Sequence, residues 1–136
     1  MNFQELHFHV VLNQDKLQEL VKITQEGLKK IPQFSSMASN PIIYGSQCII
    51  VMTCKKDKLQ WAKFDSGAAA QNMMIAADML GLSTVPLGVM TVTSEEWVKA
   101  LGVPDEELLL TVAIGYKEDG FKPEEKKIVS EVHYIE

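Results

Sequence analysis

The stretch DSGAAAQNMMIAADMLGLSTVPLGVM, residues 65–90, decides how this chain of 136 residues is read. Ser66 stands where a side-chain oxygen can cap a helix, strong helix formers follow it to residue 80, and Gly81 is the residue type that most easily closes a helix in the left-handed conformation. Apolar residues surround most of this segment instead of lining one stripe, so the spacing predicts a buried helix over 66–80. Its small residues allow a sheet or a second subunit to approach closely. The turn that follows carries Pro86 and Gly88, which let backbone N–H groups come near a flat ligand. An alanine-rich core helix with a tight turn after it is the other reading of the same residues, and spacing alone favours it.

Working outward, CIIVMTC at 48–54 is continuously apolar and β-branched in its middle, as a central strand covered on both faces should be. LLLTVAIGY at 108–116 predicts another buried strand. Between them, Thr93 and Glu96 form a T-x-x-E capping box ahead of a helix over 94–101, with Gly102 just past its end. LHFHVVL at 6–12 alternates, placing Leu6, Phe8 and Val10 on one face and His7 and His9 on the other, the period of a strand. Asn13 or Asp15 can cap the next helix, in which Leu17, Leu20, Val21, Thr24 and Leu28 recur at helical spacing until Pro32 stops it. Residues 33–47, rich in Ser, Asn, Pro and Gly, predict a surface loop with room for one helical turn. The tail KPEEKKIVSEVHYIE predicts a charged turn and a short edge strand. The order β, α, loop, β, α, turn, α, β, β, without repeat or linker, implies one layered α+β domain spanning residues 1–136.

Composition narrows the function classes. Hydrophobic residues make up 46% and charged residues 23%, the balance of a globular protein rather than a disordered one. Eighteen acidic against 13 basic residues give a net charge of -5, which disfavours nucleic acid or an anionic membrane as a partner. Every basic residue is lysine, so an anion site must use ammonium groups or backbone N–H rather than a guanidinium fork. No segment approaches the ~20 apolar residues of a membrane span, and the N-terminus lacks the pattern of a secretory signal. Cys48 and Cys54, roughly 20 Å apart along one strand, are expected to be reduced and buried, which suits a cytoplasmic protein. His7 and His9 share a strand face, but two ligands make no metal site, and half-buried structural histidines are the expectation. No nucleophile elbow and no glycine-rich phosphate loop is present.

The run D-S-G-A-A-A-Q-N-M-M-I-A-A-D-M-L-G-L-S-T-V-P-L-G, followed by TSEEWVKALGVPDEELLLTVAIGY, resembles the central signature of the nitroreductase family of FMN-dependent NAD(P)H oxidoreductases. MNFQELHFHVV resembles the family's S-x-x-N-x-Q-P-W-x-F motif, NPIIYGSQCIIVM its N-P-x-x-x-G-A-P segment, and KKIVSEVHYIE its C-terminal basic turn and final strand. The resemblance implies a nitroreductase-like fold, a central mixed β-sheet flanked by helices. It also implies an N-terminal helical segment, bearing an R-R-S-x-R-like motif that grips the FMN phosphate, for which this chain shows no counterpart. By the same resemblance Asn2 and Gln4 contact the ribityl chain and pyrimidine side of the flavin. Pro86, Leu87, Gly88 and Val89 form the turn whose N–H groups face the flavin N5 and O4 edge, and Lys126 and Lys127 help hold the phosphate. Glu5 and Leu6 stand where the family has proline and tryptophan.

The chemistry implied is hydride transfer from NADH or NADPH to flavin N5 and on to a small electron acceptor, a nitroaromatic or quinone, in a ping-pong cycle with no catalytic side chain and no metal. The implied partner is a second copy, with helix 66–80 in the homodimer contact. The alternative is a shortened, non-catalytic accessory module that binds FMN weakly or not at all, since each lost charge-assisted bond to phosphate costs about 1.5–3 kcal/mol.

Overall fold

The computed structural model describes residues 4–122, 125–127 and 129–135. Four strands form one sheet in the order β1 (His7–Val11), β2 (Cys48–Lys55), β4 (Glu106–Gly115), β3 (Ser83–Leu87). Every neighbouring pair is antiparallel, so within the described residues the sheet is not the mixed one expected, although the α+β class is as read from the sequence. β2 and β3, each antiparallel to β4, run in the same direction, and α2 (Leu59–Met79) makes the crossover between them.

One face of the sheet carries the main core. α1 (Gln14–Lys29) is capped by Asn13, whose side chain accepts from the Lys16 N–H at 2.9 Å, and it buries Leu17, Leu20, Thr24 and Leu28. Those residues pack with Ile49 and Val51 of β2, Leu87 of β3, and Trp97 and Val98 of α3 (Ser94–Ala100). Met52 and Val112 point the other way and meet Ala70 of α2. Between Met52 and Thr53 the β2–β4 register shifts, so that Met52 faces Leu110 and Thr53 faces Leu108. The bulge leaves Leu109 unpaired and returns Leu108 to the main core. Its N–H donates to the Ser94 side chain at 3.0 Å.

Several expectations are corrected. The helix foreseen at 66–80 begins at Leu59 and is not buried all round: only Ala62, Ser66, Ala70 and Ala77 are, on the face against the sheet, while Phe64, Ile75 and Met79 are exposed. Small residues at that face permit close helix–sheet packing, Met73 and Met74 are partly buried beside them, and the apolar residues farther round α2 are uncovered. Ser66 is no cap. It lies inside the helix, its hydroxyl donating back to the Lys63 carbonyl at 2.8 Å. Thr93 makes no side-chain cap either; its hydroxyl donates to the Met90 carbonyl at 3.2 Å. Pro86 and Leu87, expected in a turn, are the last residues of strand β3, which tolerates Pro86 because it is an edge strand, and the chain turns over only from Gly88. The helical part of the loop at 33–47 runs longer than the one turn expected, as the 3-10 segment Pro32–Ser39. Among the described residues after β4 no strand forms, and those of 129–135 are exposed. Cys54 is fully buried as expected but Cys48 only half, and both thiols are free. Burial raises both pKa values; at Cys54 the carboxylates of Glu106, Glu107 and Glu5 add to the effect.

Phe8 and Val10 of β1 lie on the same sheet face as Met52, but α2 covers β2, β4 and β3 and stops short of the β1 edge. Together with Leu12 they leave an exposed apolar stripe. Among the described residues no helix is long and apolar enough to cross a membrane.

Candidate functional site

Leu87 lies opposite Thr111 of β4, which lies opposite Val51 of β2, which lies opposite His9 of β1. The chain leaves β3 at Gly88 toward the same end of the sheet at which β1 begins. Gln4 and the 86–89 turn therefore share one end of the sheet, on opposite edges, separated by three strand spacings or roughly 14 Å.

Within the turn the four residues play different parts. The Leu87 side chain is 4% exposed and belongs to the main core, so only its backbone is available to a ligand. Pro86 and Gly88 are exposed and Val89 half-buried. Gly88 opens the 3-10 segment Gly88–Thr93, whose first N–H groups have no partner within the segment. A Cβ built on Gly88 would meet nothing within 4 Å, so a flat group has room to reach the backbone. The turn is fixed from below: Met90 and Thr93 are buried, and the Thr91 hydroxyl donates to the Gly88 carbonyl at 2.8 Å.

Gln4 is exposed and takes φ +48°, a left-handed conformation uncommon for a residue with a side chain. Its neighbour Glu5 pairs with Lys58 at 3.7 Å, so the carboxylate that replaces the family's proline is partly neutralised. Asn2 lies outside the described residues. Lys126 and Lys127 are exposed in the stretch after β4, and the described structure records no hydrogen bond or ion pair joining them to Gln4 or to residues 86–89. Among the described residues no group of three or more His, Cys, Asp or Glu is placed to hold a metal. A shallow cavity of about 180 Å³ between α1 and residues 41–46 lies at the opposite end of the sheet, where β2 begins.

The sequence reading missed Glu106. Its carboxylate, on the first residue of β4, draws in His7, His9 and Thr53. Burial alone would raise its pKa, but hydrogen bonds from Thr53 and His7 and the charges of both histidines outweigh that and hold it below its usual value. The paired histidines were the only sign of this cluster in the sequence. Their partner lies 99 residues from His7.

The model of the nitroreductase family matches residues 1–116, and the chain belongs to that family. Its fold is similar to that of a nitroreductase with bound FMN from Bacteroides fragilis NCTC 9343, with a TM-score of 0.86 and 24% identity, covering 100% of this chain and 79% of that one. A second nitroreductase with bound FMN, from Desulfitobacterium hafniense DCB-2, gives a TM-score of 0.84 and 25% identity over 100% of this chain and 78% of that one. An FMN-dependent nitroreductase from Mycobacterium smegmatis, in complex with NADPH, gives 0.70 and 16%, covering 87% and 71%. No functionally curated protein matches the chain.

Proposed function

We propose that this chain is an FMN-dependent oxidoreductase that takes reducing equivalents from NADH or NADPH and passes them to a small acceptor such as a nitroaromatic or quinone. The observation that carries the reading is the open backbone at Gly88 and Val89, at the same end of the sheet as the exposed Gln4, within a nitroreductase fold.

The residues present fit the flavin. N–H groups at the start of the Gly88–Thr93 segment, which have no partner within it, suit the polar edge of a ring, and the Gln4 amide, with both a donor and an acceptor, suits a pyrimidine or ribityl edge. The buried Leu87 side chain below the turn keeps that backbone rigid, so its dipoles are already oriented when the ligand arrives. When bound, the flavin supplies the hydride chemistry itself. No side chain need act as acid or base; the chain's part is to bind, orient and exclude. Lys126 and Lys127 are proposed phosphate partners reached through the segment after β4.

The exposed stripe of Phe8, Val10 and Leu12, and Phe64, Ile75 and Met79 on the outer face of α2, support self-association into a homodimer. Bleaching of the flavin band by NADH or NADPH under anaerobic conditions, and its return on adding a quinone, tests the redox reading. A bound flavin that neither nucleotide reduces overturns it.

A further inference from the structure

Four side chains from three strands meet beside the segment that carries Gln4. His7 Nδ1 lies 2.5 Å from Glu106 Oε1, and His9 Nε2 lies 2.8 Å from Thr53 Oγ1. The Thr53 hydroxyl donates to Glu106 Oε2, from which His9 Nε2 is 3.5 Å distant. An ionised carboxylate only accepts, so Thr53 gives its single hydrogen to Oε2 and must itself accept from His9. His9 therefore carries a hydrogen on Nε2 and His7 one on Nδ1, and every donor in the cluster points toward Glu106.

The register explains why the groups meet. His7 lies opposite Thr53, and the bulge after Met52 sets Glu106 opposite Lys55, on the face that also carries Thr53. Without the extra residue the strand period would turn the Glu106 side chain to the other face. The charged groups that act on Glu106 are His7 and His9; Lys55 across from it is exposed, and Glu107 pairs with Cys54 on the other face. Glu106 itself is largely buried, with a side chain 12% exposed. β1 is an edge strand held by one neighbour, so this cluster is the side-chain clasp that fastens its first turn of chain to both β2 and β4.

We propose that Glu106 is a positioning residue for the flavin site: acting through His7, His9 and Thr53, it fixes the start of β1 so that the left-handed Gln4, three residues upstream, is presented to the ligand. The proposal rests on the flavin reading above.

The test uses the full chain. FMN affinity is measured by fluorescence quenching from neutral pH into the acid range for the unaltered protein and for Glu106→Gln, whose amide cannot accept from both Thr53 and His7 without turning a donor toward one of them. The expected result is affinity weakened about tenfold in Glu106→Gln with an unchanged circular dichroism spectrum. The unaltered protein should also lose affinity on acidification through a step that the variant lacks, while its circular dichroism spectrum stays unchanged over the same pH range, which separates the step from a loss of fold. Imidazole nitrogen NMR of the unaltered apoprotein should show His7 protonated at Nδ1 and His9 at Nε2, and this measurement stands even if the variant does not fold. Equal FMN affinity and the same pH profile in both proteins overturn the positioning role alone, as does the opposite placement of either hydrogen. No FMN binding by the unaltered protein overturns the flavin reading and the positioning role together.

Discussion

The Trp97 indole nitrogen donates to the Thr24 hydroxyl oxygen at 2.9 Å, and neither side chain is reached by solvent. This bond joins α3 to the middle of α1 through the core beneath the 86–89 turn. Thr24 has its own hydrogen for the Leu20 carbonyl at 3.1 Å or the Met90 sulfur at 3.4 Å, so the indole is the donor and the threonine oxygen its acceptor. Thr24→Val keeps the shape and removes the acceptor, leaving a buried N–H unpaired. It should cost about 1–3 kcal/mol in urea unfolding, whereas Thr24→Ser should retain more of the stability.

Gly27 marks the closest approach of α1 to the segment leading into α3. A Cβ added there would lie 2.0 Å from Thr93 Cγ2, an overlap that a buried, β-branched side chain cannot relieve by swinging aside. Alanine gains up to about 1 kcal/mol over glycine in a helix, but overpacking costs roughly 1–3 kcal/mol, so Gly27→Ala should lower the melting temperature. Thr93→Ser removes the clashing methyl. The double variant should therefore be more stable than Gly27→Ala alone, a coupling that a double-mutant cycle reads directly.

The Glu106 clasp makes stability depend on pH with a definite sign. Its folded-state pKa lies below the unfolded value, so its contribution is complete above the ordinary carboxylate range and is lost as pH falls through the folded pKa. Urea titrations from neutral pH into the acid range should show stability falling more steeply in the unaltered protein than in Glu106→Gln. Parallel curves would mean that the carboxylate gains nothing from His7, His9 and Thr53.

The elements with strong local signals were legible. α1 follows from its periodic Leu17, Leu20, Thr24 and Leu28 and from the Asn13 cap, and β2 from its unbroken apolar run. α2 departs from the expectation because a hydrophobic helix need not be a buried one: only its small residues are fully buried against the sheet, with Met73 and Met74 partly buried beside them. β3 was hidden by Pro86, which reads as a turn unless the strand is known to lie at an edge. Of the candidate site, Gln4 and residues 86–89 are proposed through resemblance alone, and the burial of the Leu87 side chain was not legible in the sequence. Glu106 was out of reach for a different reason. Its role depends on a one-residue bulge and on partners from two other strands, neither of which a local pattern encodes.

In the proposed site, FMN lies between the backbone at Gly88 and Val89 and the segment bearing Gln4. The most direct measurement is the visible absorbance spectrum of the purified protein after FMN is added and the excess removed by gel filtration, with Gly88→Val measured alongside. A near-stoichiometric flavin band is expected in the unaltered protein and its loss in the variant, whose side chain would fill the open space before the turn. A colourless unaltered protein, or a band that Gly88→Val retains in full, would contradict it.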